Sequence, residues 1–169
     1  TDRAFGPDMS RLDSVIRRLE AQRACLGCAA RLIDGHPGPV LELGLGNGRT
    51  YDHLREILPE REIYCFDRQI AAHPDCIPDD EHMFLGDLSE TLPLATARLG
   101  TTVMLAHVDI GSGDKEPSLA LGRWLAEVLP GLLAPGAVVV SDQPVPHAGW
   151  RLLDLPDGVA QGRYHMQQV

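Results

Sequence analysis

Five short apolar runs constrain the fold of this chain more than any other feature. They lie at 40–45, 63–66, 83–85, 102–108 and 137–140, are rich in Val, Leu and Ile, and are separated by helix-like segments. A strand that is apolar at nearly every position, rather than at every second one, is buried on both faces. Such runs alternating with helical patterns predict β-α units around a parallel sheet. The intervening segments agree. Residues 49–58 follow a glycine-rich turn and stop at Pro59. Residues 117–129 carry Leu119, Leu121, Trp124, Leu125, Val128 and Leu129 and stop near Pro130. Residues 88–99 fit a third helix, interrupted by Pro93.

The two ends differ from this pattern. Residues 8–34 read as a long amphipathic helix, with Leu12, Val15, Ile16, Leu19, Ala24, Leu26, Ala30 and Ile33 near helical spacing. Asp8 or Ser10 caps its start, and Gly35 with Pro37 ends it. The tail from Gly149 has no room for a helix. Its "PDG" is a turn signal, and the flanking runs suit an antiparallel hairpin. No linker divides the chain. The expectation is a single domain over 1–169: a helical cap at 1–36 on a core at 37–169, with one leading helix, five β-α units and a closing hairpin.

Composition excludes several classes of function. The formal net charge is −9, and Lys115 is the only lysine among 169 residues. The sequence-independent part of nucleic-acid binding comes from Lys and Arg, so no nucleic-acid partner is expected. No run of 18 apolar residues and no secretory leader are present, so neither a membrane partner nor export is expected. Four cysteines are too few for a disulfide framework. Cys25 and Cys28 form a CxxC inside a helical pattern, without a second pair to complete a zinc site. They read as small packed thiols in a reducing, cytoplasmic protein.

The first apolar run ends in Glu42-Leu43-Gly44-Leu45-Gly46-Asn47-Gly48-Arg49. A dinucleotide site needs G-x-G-x-x-G. Here the glycines stand at 44, 46 and 48, and Arg49 occupies the place of the last one. No Gly-Lys-Ser/Thr follows, which excludes a P-loop. Glu42, two residues before the first glycine, repels a phosphate and attracts an amine. Asp67 ends the next run in "EIYCFDR", where an acid accepts both hydroxyls of a ribose. Asp87 follows the third run in "MFLGDL" and can accept from an exocyclic amine.

Together "ELGLGNG", "CFDR" and "LGDL", followed by "LAHVDIG" and "GAVVVSDQP", resemble the ordered motifs of class I S-adenosylmethionine (SAM)-dependent methyltransferases. The resemblance covers about residues 38 to 145. It implies a Rossmann-like, doubly wound α/β fold with a mostly parallel seven-stranded sheet, and SAM as the cofactor. It implies that Gly44, Gly46, Asn47 and Gly48 wrap the methionine and ribose, with Glu42 near the amino group. It implies Asp67 and Arg68 at the ribose, and Gly86, Asp87 and Leu88 at the adenine.

Ligands in open parallel sheets sit at the carboxyl ends of the strands. That places Asp109 beside the cofactor and, with Asp142, beside the reacting centre as candidate catalytic groups; His147, in a Pro-rich loop, is a further candidate base. His107, on a strand expected to be buried, reads better as a core histidine than as a base. Trp150 reads as the start of a core strand. The Asn/Asp-Pro-Pro-aromatic motif of DNA amino-methyltransferases is replaced by "VDIGSG". The fifth-strand region resembles that of catechol-type O-methyltransferases, in which Asp109, Asp142 and Gln143 would hold magnesium. That motif is incomplete, so no metal ligands are assigned and a magnesium requirement is not favoured. The expected activity is methyl transfer to oxygen or nitrogen of a small-molecule acceptor, with the leading helix and the loops at 110–117 and 143–149 selecting it. Two alternatives are a SAM-binding regulatory or partner protein without catalysis, and a nicotinamide-dependent dehydrogenase. An exposed edge of the closing hairpin offers a route to a homodimer.

Overall fold

The computed structural model describes residues 9–169. Seven strands form one sheet in the order β3-β2-β1-β4-β5-β7-β6. The strands are β1 (Val40–Leu43), β2 (Ile63–Asp67), β3 (Met83–Leu85), β4 (Val103–Val108), β5 (Leu133–Ser141), β6 (Arg151–Leu152) and β7 (His165–Gln168). The first five pair in parallel, and β7 runs antiparallel to both β5 and β6. All positions of β1 and β4 are buried, as their largely apolar runs predict, including Glu42 and His107.

The reason is the layer on each face. Helices α1 (Arg11–Leu32) and α2 (Arg49–Ile57) cover one side with Ala21, Cys25, Leu26, Ala29, Tyr51 and Leu54. Helices α3 (Leu88–Leu99) and α4 (Lys115–Val128) cover the other with Leu92, Ala95, Leu125 and Ala126. The strand order reverses at β1 and β4: chain continuity runs outward from β1 to β3, then returns to β4. Crevices for ligands open at the carboxyl ends of such a pair.

Ser10 is the cap of α1. Its side chain accepts from the Asp13 amide and Asp13 reaches back to the Ser10 amide, a complete capping box. Asp8, the alternative cap, lies outside the described residues. The apolar stripe proposed for this helix is only half core. Leu12, Val15 and Ile16 are exposed, because α1 meets the sheet only from Ala21 onward.

Two further expectations are corrected. Only β1, β3 and β4 are followed by α-helices, so there are three β-α units and not five. The β2–β3 connection instead makes two 3-10 turns, Pro74–Cys76 and Asp80–His82. Pro74 and Pro78 interrupt it, and the His73 and Asp79 side chains accept backbone amides that a helix would have used. After β5, Pro144 and Pro146 prevent a helix as well. The closing hairpin forms, with Arg151 opposite Gln168, but "PDG" sits inside a long connection rather than at a tight turn. Pro93 is accommodated within α3 on its exposed side. No described helix is long and apolar enough to cross a membrane.

Candidate active site

The glycine turn leaves β1 at the sheet's reversal point. Gly44 has φ +94°, and a Cβ there would stand 2.3 Å from the Asp109 carbonyl oxygen at the end of β4. Glycine is therefore needed for the two strand ends to approach each other. Gly48 has φ +85° at the N-cap of α2, and a Cβ there would strike Cys76. Its glycine is explained by packing against the β2–β3 connection. Gly46 faces open space, and its amide donates to Asp67 Oδ2 at 2.9 Å. Asn47 turns inward on its own loop, accepting from the Arg49 amide at 3.1 Å.

A cavity of about 570 Å³ opens at the carboxyl ends of β1 to β4. Its lining brings together Gly44, Asp67, Arg68, Gly86, Asp87, Leu88 and Asp109 of the residues singled out in the sequence. Glu42, Gly46, Asn47, Gly48, Asp142 and His147 are not in that lining. Asp67 ends β2 and is tied at one oxygen to Gly46 and at the other to its neighbour's amide, 2.7 Å away. Each carboxylate oxygen keeps a second lone pair for a hydroxyl. Asp87 caps α3 through the Ser89 amide at 2.9 Å and the Ser89 hydroxyl at 2.8 Å. These bonds, with Arg68 at 3.0 Å, hold its carboxyl below the usual range. The Arg68–Asp87 pair therefore lies at the cavity's edge. Phe66, Leu88, Ile110, Leu121 and Trp124 supply apolar walls that suit a flat aromatic base. The acids beside such walls offer acceptors suited to the hydroxyls of a ribose and to an exocyclic amine.

Glu42 is placed differently from the sequence expectation. It is fully buried in the sheet, directly opposite His107 on β4. His107 Nδ1 lies 2.9 Å from both of its oxygens. Burial pushes the Glu42 carboxyl up, against the pull of His107. Burial works to lower His107, but Glu42, with Asp109 and Asp142 beyond it, holds that imidazole above its ordinary value. His107 is thus a satisfied core histidine. Its Nε2 continues to Tyr164 Oη at 2.7 Å, and Gln22 Nε2 on α1 lies 3.0 Å from the same oxygen.

Asp142 follows β5. Its oxygens accept from the Ile110 amide at 3.1 Å and the Gly111 amide at 2.7 Å, which shapes the β4–α4 loop. Burial first, then the Asp109 charge, pushes its carboxyl up to about 6. His147 is elsewhere. It stacks on Trp150 with ring centroids 4.5 Å apart and accepts from the Gly149 amide, beside Arg123 and Glu127. Among the described residues no group of three or more His, Cys, Asp or Glu side chains is arranged to hold a metal ion. Cys25 and Cys28 are free thiols on α1.

Sequence reasoning missed Gln22, Tyr164 and the α4 wall. Pro117, Ser118, Leu121 and Trp124 do recur on one helical face. That face reads as core because part of α4 is core. Gln22 and Tyr164 carried no local signal, since 142 residues separate them.

The model of a family described as S-adenosyl-L-methionine methyltransferase matches residues 9–169. A crystal structure of an S-adenosyl-L-methionine methyl transferase from Silicibacter pomeroyi shares 42% identity, with a TM-score of 0.91, over 96% of this chain and 100% of that one. The putative methyltransferase yhhF from Escherichia coli shares 18% identity and a TM-score of 0.55, over 88% of this chain and 85% of that one. Fibrillarin, solved in complex with Nop5p, is similar to the same degree: 17% identity and a TM-score of 0.55, over 88% and 81%. At such identities the last two show a shared fold. No curated protein matches the chain in sequence.

Proposed function

The chain belongs to the S-adenosyl-L-methionine methyltransferase family and uses that cofactor, and on this premise we propose that it methylates oxygen or nitrogen of a small-molecule acceptor. One observation carries the reading of the site: Asp67, Asp87 and Asp109, from the ends of three strands, line one cavity with Gly44. Asp67 binds the ribose hydroxyls. Asp87 and the Leu88 amide read the adenine, and Arg68 closes over its edge. Asp109, beside Gly44, takes the positively charged methionine end. When bound, the cofactor supplies an electrophilic methyl group on a sulfonium.

The chain's own contribution is alignment and proton management. Asp142, pushed up to about 6, has the affinity for a proton that a base working near neutrality needs. It takes the proton that the acceptor's hydroxyl or amine gives up. Its bonds to Ile110 and Gly111 fix it while leaving lone pairs for that task. No metal is needed in this scheme, and His147 has no part in it.

The acidic balance supports a small acceptor over RNA or DNA, because −9 of formal charge repels a phosphate backbone. We read the molecule as one domain, cytoplasmic, and as a possible homodimer. Incubation with methyl-labelled SAM and a cell extract tests the acceptor. Label is expected in the low-molecular-weight fraction and to survive nuclease treatment. Label that moves with RNA or DNA overturns the small-molecule reading.

A further inference from the structure

Five carboxylates surround the cofactor end of the sheet, and their partners rank them as sites for the cofactor's ammonium. Glu42 is fully buried and both of its oxygens face His107. Asp67 holds the Gly46 and Arg68 amides and faces the ribose position. Asp87 caps α3 and pairs with Arg68. Asp142 gives both oxygens to the β4–α4 loop. Asp109 lines the cavity; its side-chain neighbours are the Asp142 carboxyl and, as an N–H donor, Gln22, with Nε2 at 3.5 Å from Oδ2.

Gln22 does not reach Asp109 by chance of rotamer. Its Nε2 is held 3.0 Å from Tyr164 Oη, a phenol only 1% exposed. That oxygen is in turn 2.7 Å from His107 Nε2, and His107 is anchored on Glu42. With His107 Nδ1–H donating to Glu42, Nε2 is the acceptor for the Tyr164 hydroxyl hydrogen, and the phenol oxygen is left to accept from Gln22. The end of Gln22 that turns toward an acceptor is its NH2, not its carbonyl. The second hydrogen of that NH2 is then free for Asp109. The chain from Glu42 through His107 and Tyr164 thus selects the orientation of a side chain on α1. Burying a carboxyl–imidazole pair under the sheet carries a large desolvation cost, and a polar chain leading to the cavity gives that pair a use. The long 3.5 Å contact is of the kind that shortens when a site is filled.

We propose that Gln22, oriented by the buried Glu42–His107–Tyr164 chain, is a positioning residue that fixes the Asp109 carboxylate for the cofactor's α-ammonium. This rests on the reading that Asp109 takes the methionine end. It also assigns α1 a role at the cofactor itself, besides any contact with the acceptor.

The test compares two ligands by calorimetry. S-adenosylhomocysteine carries the ammonium, and 5′-methylthioadenosine keeps the adenine and ribose but lacks the amino-acid end. Gln22→Met removes the donor at similar volume. It is expected to weaken S-adenosylhomocysteine about tenfold and to leave 5′-methylthioadenosine unchanged, the scale of one hydrogen bond to a charged group. Tyr164→Phe is expected to show the same selective loss at a smaller factor, and serves if Gln22→Met does not fold. A merely structural role for Gln22 weakens both ligands equally or neither, and either result overturns the proposal. Asp109→Asn separates the two levels. Selective loss in Asp109→Asn without selective loss in the Gln22 and Tyr164 variants sinks the inference alone. No selective loss in Asp109→Asn sinks the reading beneath it.

Discussion

A buried acid and a half-buried one serve opposite ends in this protein. Glu42 stabilises by pairing, and its worth lies in not being left alone. Removing one partner of a fully buried ion pair costs about 3–5 kcal/mol, while replacing both by apolar groups is often neutral. Urea unfolding of Glu42→Gln or His107→Leu is therefore expected to show a loss of that size, and the double variant Glu42→Leu/His107→Leu to recover most of it. Equal losses in single and double variants contradict the pairing. Asp142 works the other way. Its carboxyl is raised in the folded protein, to about 6 from 3.8, so the folded state binds its proton more tightly than the unfolded chain. Its contribution to stability is complete below about pH 4 and is lost as pH rises through about 6, a change of about 3 kcal/mol. Other carboxylates impose their own slopes, so the measurement is the difference between parent and Asp142→Asn in urea unfolding across that window. The difference is expected to flatten above about pH 6.5. At the cavity, Asp67→Ala is expected to weaken SAM binding by about 1.5–3 kcal/mol, the scale for hydrogen bonds to a charged group. Unchanged affinity in calorimetry removes Asp67 from the site.

Among the elements, α1 carries the most uneven stability. Its capping box secures the first turn, yet Leu12, Val15 and Ile16 project from the sheet, and burial begins near Ala21. Losing a Ser cap costs about 1 kcal/mol. Here that loss falls on a segment with little packing to share it, so Ser10→Ala is expected to speed hydrogen exchange over 11–19 without changing the global unfolding midpoint. Exchange that rises along the whole of α1 shows instead that the helix docks as one unit. The elements also show what sequence patterns can and cannot convey. Apolar runs located all five parallel strands, because a strand buried on both faces is mostly apolar and admits a polar residue only as part of a pair such as Glu42–His107. All four α-helices were legible from spacing and from their stops. The β2–β3 connection was not, because its prolines and capping side chains compete with a helix locally. The cavity's acids were legible since each ends a recognisable run. Glu42 was misplaced relative to the expected amino group because its partner His107 is 65 residues away and adjacent only through β-sheet register.

The whole molecule adds a field to these contacts. Its net charge is −9, and Glu42, Asp67, Asp87, Asp109 and Asp142 gather at one end of the sheet with Arg68 as the nearby cation of the cavity. Clefts lined by one sign of charge raise the arrival rate of the opposite sign, and salt screens the effect over about 10 Å at 0.1 M. SAM carries a sulfonium in addition to the ammonium and carboxylate that it shares with S-adenosylhomocysteine, so only the methylated form bears a net positive charge. The same field that repels a phosphate backbone therefore draws the methyl donor in and gives the demethylated product no such attraction. Stopped-flow association measured from about 20 to 300 mM salt is expected to slow several-fold for SAM and to stay nearly flat for S-adenosylhomocysteine. Parallel slopes for the two ligands place the rate limit in a motion of the protein, such as parting of Arg68 from Asp87, and not in steering. Arg68→Ala distinguishes these outcomes, because removing the cation at the rim speeds both ligands if the pair is a gate, and steepens only the SAM slope if the field acts alone.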